Sequence, residues 1–138
     1  MMTRAQIAYL DRKNVPARKP LQEAVDRLAF KVVLDDSYVP FETAGYLPCT
    51  LDGEDAGFEI NFQQVATDLS PALKSSIGDR DTAIAFRWAS DPREQLAALT
   101  VCAALVKQCG AVVLDPDSDT LLSFDQLLAK ARAAQGSL

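Results

Sequence analysis

Val32-Val33-Leu34-Asp35-Asp36 and, eighty positions on, Val112-Val113-Leu114-Asp115-Pro116 are near copies, and each closes a similar run of chain. Ahead of the first stand the strand-like Gln6-Ile7-Ala8-Tyr9-Leu10 and a helical stretch from Pro20 to Leu28. Ahead of the second stand Ala83-Ile84-Ala85-Phe86-Arg87-Trp88 and a helical stretch from Pro92 to Gln108. Each copy therefore reads strand, helix, strand. In the first helix Leu21, Ala24, Val25 and Leu28 recur at i, i+3, i+4 and i+7, the spacing of one buried face. The second is rich in Ala and Leu all round, which marks a helix packed deeply against a sheet and a further neighbour. Asp91 or Ser90 can cap it, Pro92 suits its first turn and Gly110 its end.

Between the copies, Gly45 to Leu51 and Gly57 to Phe62 flank Asp52-Gly53-Glu54-Asp55-Ala56. Phe58, Ile60 and Phe62 alternate with Glu59, Asn61 and Gln63, the pattern of a half-buried strand. Asp52-Gly53 is a hairpin-turn signal, and Pro48, which lacks an N–H, places the preceding strand at an edge or a bulge. A short helix is predicted from Ser70-Pro71, and a last one opens at Ser123 with Gln126 completing a capping box. The expected architecture is one α+β domain over residues 1–138, with a mixed or antiparallel sheet and helices on one side. Two βαβ units separated by a β-hairpin and followed by a C-terminal helix give a ferredoxin-like plan. The doubled VVLD string is equally compatible with coincidence.

Composition limits function. The 138 residues are 49% hydrophobic and 24% charged, the profile of a folded globular chain rather than a disordered one. Its longest weakly polar run, Leu96 to Val106, is half of the roughly 20 residues a bilayer crossing needs, and the N-terminus reads as carrying no signal core. A cytoplasmic location is expected. Cys49, Cys102 and Cys109 form no CxxC pair, and reduced structural thiols are the natural reading. Net charge is −5, but Asp35 to Asp81 holds ten acidic residues against Lys74 and Arg80, net −8. Such a field disfavours nucleic acid and favours a basic protein surface, or serves as a solvated face.

The chain contains no histidine, which removes Ser-His-Asp and Cys-His pairs and the usual neutral-pH acid-base group. Cys102 and Cys109 sit on an apolar helix, and Cys49 has no base beside it. Asp115-Pro116-Asp117-Ser118-Asp119 resembles the start of a calcium loop, but Thr120 and Gln126 replace its glycine and bidentate glutamate. Asp35, Asp36 and Asp115 can be read as paired acid-base carboxylates or as turn caps, with capping preferred. The six glycines are too scattered to cradle phosphate. No catalytic residue, metal or cofactor is therefore expected. Trp88 with Arg87 offers an interface anchor, although Trp88 shares a strand face with Ile84 and Phe86 and so reads as core.

Phe86-Arg87-Trp88, the Ala/Leu helix, Gly110 to Pro116, Gly45 to Cys49 and Gly57-Phe58-Glu59 together resemble a group of small uncharacterised bacterial α+β proteins, similar in size and style to toxin-immunity proteins. The resemblance implies an antitoxin-like, non-enzymatic protein that binds a toxin and occludes its surface. Asp52, Glu54, Asp55, Glu59, Arg87 and Trp88 are the candidate partner-binding residues. The alternative is a ferredoxin-like regulatory or oligomerisation module, a homodimer or a binder of a small ligand, with neither membrane nor nucleic acid as partner.

Overall fold

The computed structural model describes residues 4–138. Strand β1 (Arg4–Leu10) is followed by a 3-10 turn and helix α1 (Arg18–Asp26), then by β2 (Val32–Leu34). A ribbon of four strands comes next: β3 (Gly45–Leu47), β4 (Cys49–Leu51), β5 (Glu54–Asp55) and β6 (Phe58–Gln64). Helix α2 (Pro71–Ile77), β7 (Thr82–Trp88), α3 (Pro92–Cys109), β8 (Val112–Asp115), β9 (Thr120–Leu122) and α4 (Phe124–Gly136) complete the chain. The main sheet has the order β3-β6-β7-β1-β8-β9 with every neighbour antiparallel, and β2-β4-β5 form a second, smaller antiparallel sheet.

The α+β class and the antiparallel sheet agree with expectation, but only one of the two strand-helix-strand units closes on a single sheet. β7 and β8 both run antiparallel to β1, hence parallel to each other, and α3 joins them with β1 lying between. The first unit does not repeat this. β1 has β7 on one edge and β8 on the other, so no hydrogen-bonding edge remains for β2. Val32, Val33 and Leu34 pair instead with Leu51, Thr50 and Cys49. The two VVLD strings are thus alike in propensity and unlike in partner.

The expected hairpin is a ribbon shared between sheets. Leu47 pairs with Phe58 in the main sheet, and two residues later Cys49 pairs with Leu34 in the small one. Pro48, with no N–H to give a ladder, stands at the crossing, and its carbonyl accepts from the Asp35 amide at 3.1 Å. Beyond it the turn shrinks to Asp52-Gly53, both at positive φ (52° and 84°), as a type I′ hairpin requires.

Helix α3 decides the packing. Every residue from Leu96 to Leu105 is buried, and the helix touches α1 and α4, strands β1, β6, β7 and β8 of the main sheet, and β4 of the small sheet. Asp91 caps it by accepting from the Arg93 amide at 2.9 Å, and Gly110 ends it in the left-handed region at φ 70°. Thr100, the one polar residue in the buried run, donates to the Leu96 carbonyl at 2.7 Å. Ser123 and Gln126 form the expected capping box of α4.

The helices do not all lie on one side. Ala8, Leu10, Ile84, Phe86 and Val113 belong to the core under α3, while Tyr9, Ala83 and Leu114, of opposite strand parity, pack with Leu73 and Ile77 of α2 on the other face. Two faces of the sheet are therefore apolar in part, and a single helical layer cannot bury both. Strand β9, unanticipated from sequence, pairs with β8 across the loop Pro116–Asp119. Truncating Leu99→Ala, at the buried centre of α3, is expected to lower the unfolding free energy by about 2–5 kcal/mol in urea melts with an unchanged slope. The exposed Val33→Ala should stay within about 0.5 kcal/mol of the parent.

Candidate functional site

The small sheet has an inner and an outer face. Val32, Leu34, Cys49 and Leu51 turn into the core, and the alternate positions Val33, Thr50 and Asp55 form a row across the outside. Val33 is 49% exposed, a large apolar side chain left in water. Asp35 and Asp36 follow it directly, and with Arg18, Pro48, Thr50 and Asp55 these residues line an open concavity of about 380 Å³. Arg18 is fixed there: its guanidinium donates to the carbonyls of Leu34 (2.6 Å) and Asp35 (3.1 Å) and pairs with Asp36 at 3.3 Å.

The carboxylates read as possible acid-base groups are turn residues. Asp35 accepts from the Ser37 amide at 3.0 Å, and Asp115 from the Asp117 amide at 3.0 Å. Hydrogen bonding by Ser37, aided by the charge of Arg18, holds the Asp35 carboxyl below the usual carboxylate range, so it is ionised rather than poised to transfer a proton near neutrality. Among the described residues no group of three or more His, Cys, Asp or Glu converges in metal-binding fashion, and the calcium-like string forms the β8–β9 turn.

The hairpin acids lie beside this concavity. Asp52 is 3.7 Å from the Lys31 ammonium, Glu54 takes a 2.6 Å ion pair from Arg93 at the start of α3, and Asp55 faces outward in the row with Val33. Both ion pairs are solvent-exposed and so add little to stability.

Glu59, Arg87 and Trp88 gather elsewhere, at the end of the main sheet. With Tyr46, Gly57, Phe58, Ala89 and Glu94 they line a second concavity of about 270 Å³. Tyr46, Glu59 and Arg87 are register neighbours across β3, β6 and β7. Trp88 is not the exposed anchor that a partner-binding role implies: it is 5% exposed and belongs to the core, as its shared face with Ile84 and Phe86 foretells. Its indole Nε1 is buried with no hydrogen-bond partner. Gly57 allows Tyr46 to lie across it, since a Cβ there would meet the Tyr46 ring and stand 2.7 Å from the Leu47 carbonyl oxygen.

The hairpin acids stand out in the sequence as a charge cluster, whereas the exposed Val33 and Tyr46 do not. The signal for Val33 is present: in a strand whose neighbours Val32 and Leu34 face inward, the residue between them must face out. Tyr46, next to the buried Leu47, follows the same rule.

The three thiols are free. Burial, followed by the negative charge of Asp35, pushes the Cys49 thiol up to about 12, and burial also raises Cys102 and the half-buried Cys109. No described helix is long and apolar enough to cross a membrane. Comparison with protein families, with curated proteins and with solved structures returned no match.

Because only the thiolate reacts, iodoacetamide at pH 8 should alkylate Cys109 first and slowly, and leave Cys49 and Cys102 unmodified until urea unfolds the chain. Mass mapping of the labelled cysteines checks this. Native-state labelling of Cys49 would show its site to be more open than the packing implies.

Proposed function

We propose that this chain is a non-enzymatic protein-binding protein, an immunity protein that neutralises a toxin by covering a basic part of its surface. One observation carries the reading: Asp35, Asp36 and Asp55 surround the exposed Val33 in one concavity, with Arg18 as its cation. An apolar centre with a charged rim is the anatomy of a protein interface rather than of a catalytic cleft. Its negative potential would accelerate encounter with a basic partner and reject acidic ones. Of the candidate acid-base carboxylates Asp35 and Asp115 cap turns and Asp36 pairs with Arg18, and the raised thiols are poor nucleophiles, which supports binding over catalysis.

The test is co-expression with the product of the adjacent gene, followed by binding kinetics on the purified pair. Protection from that product's toxicity is expected, together with an association rate that falls roughly tenfold or more between low and physiological salt. The double substitution Asp36→Lys, Asp55→Lys, which reverses two of the three acids around Val33 and spares the turn-capping Asp35, should sharply reduce the salt dependence and weaken binding. A complex indifferent to both salt and charge reversal would remove the basis of the reading.

A second reading, self-association, is favoured by the unpaired outer edges of β3 and β9, where Tyr46 and Leu121 are exposed. Sedimentation equilibrium across a wide concentration range decides it. A dimer that dissociates on Leu121→Lys is the expected result of edge pairing, and a strict monomer ends that alternative.

A further inference from the structure

We infer that the concavity at the end of the main sheet, bounded by Tyr46, Glu59, Trp88 and Glu94, is a cage for a single cationic side chain, an arginine or lysine, presented by the protein partner. The inference deepens the protein-binding reading and rests on it, since it names what the partner inserts.

The wall of the cage is Tyr46, a large aromatic side chain 58% exposed whose ring lies across Gly57. An aromatic ring left largely in water offers a cation its negative face. Trp88 lines the concavity from the core side at 5% exposure, too little to offer a ring face, and so serves as a reporter of occupancy rather than as a wall. The carboxylates complete the charge. Arg87 also lines the concavity, opposite Glu59 in the β6–β7 register, so Glu59 and Glu94 against Arg87 leave the lining a formal charge of −1. One oxygen of Glu94 accepts from the Ala89 amide at 3.1 Å, which anchors the side chain and leaves its second oxygen able to receive a donor. Burial, then the charges of Glu94 and Asp55, raises the Tyr46 hydroxyl above its ordinary value, in keeping with both carboxylates lying near the ring. Glu54, bound to Arg93 beside Glu94, links this cage to the acidic hairpin. A volume of about 270 Å³ accommodates one long side chain and excludes a folded segment.

Trp88 is the only tryptophan, so its fluorescence and its indole N–H proton resonance report on the cage without labelling. The experiment titrates the full chain with acetyl-arginine amide, using acetyl-norleucine amide as a neutral control of similar length. Saturable shifts at Trp88 with the arginine probe alone are expected, in the millimolar range appropriate to a single side chain. Tyr46→Ala and Glu94→Gln should each weaken the probe by about threefold or more, and Tyr46→Phe, which keeps the ring, should retain it. Equal responses to the two probes, no response, or an unchanged affinity in Tyr46→Ala would overturn the cage. Because the probe is a small molecule, this result is independent of whether any toxin is recognised. A silent titration alongside a salt-sensitive protein complex would sink the cage alone.

Discussion

A helix without a polar face can persist in water only if something covers it on every side, and α3 is such a helix from Leu96 to Leu105. The main sheet covers one side, and α1, α4 and strand β4 of the small sheet cover others. Removing any of these layers would expose apolar surface at roughly 25 cal/mol for each Å². The second sheet is therefore part of the enclosure of α3 rather than an ornament on the hairpin, and its inner residues Val32, Leu34, Cys49 and Leu51 are continuous with the same core.

That requirement meets a second constraint in β1, both of whose edges are occupied. Strand β2 cannot join the main sheet, so the ribbon that begins in it must reach out to β2 instead. Pro48 makes the transfer possible: a residue with no N–H interrupts the ladder where the ribbon changes partner. Placing the hairpin in the small sheet then sets its acids beside Asp35 and Asp36, which lie far from them in sequence. The acidic concavity is a by-product of how the core is closed.

Signals that act locally were legible in the chain. Asp91, Pro92 and Gly110 bracket α3, Ser123 and Gln126 cap α4, Ser70 and Pro71 start α2, and Asp52-Gly53 makes the tight turn, each through contacts within a few residues. Features that depend on a distant partner were not. Val32–Leu34 and Val112–Leu114 have the same residues and enter different sheets, because edge availability rather than propensity assigns them. The apolar stripe of Leu73 and Ile77 predicts a buried helix face but not which side of the sheet receives it. Strand β9 contributes a single buried residue, Leu122, too little for any periodicity. At the site, the hairpin acids were visible as a charge cluster, whereas the cage needs Tyr46, Glu59 and Glu94 from β3, β6 and α3 brought to one place by tertiary structure.

The ion pairs show how the two concavities become parts of one surface. Arg18, Lys31 and Arg93 each meet an acid, and in exposed settings such pairs add little to stability. Position comes from the backbone: Arg18 donates to the Leu34 and Asp35 carbonyls, joining α1 to β2, and the β4–β5 ladder holds the hairpin whose Glu54 reaches Arg93 in the first turn of α3. Since α3 is immobilised by its burial, Glu54 on the hairpin and Glu94 in the cage are referred to the same rigid body. A two-residue type I′ turn adds no slack between them. The acids are thus held before any partner arrives, and a preordered surface loses less conformational freedom on binding than a flexible acidic loop of equal charge. The same negative residues on a disordered segment would attract a basic partner as strongly at long range but hold it less tightly once it arrived.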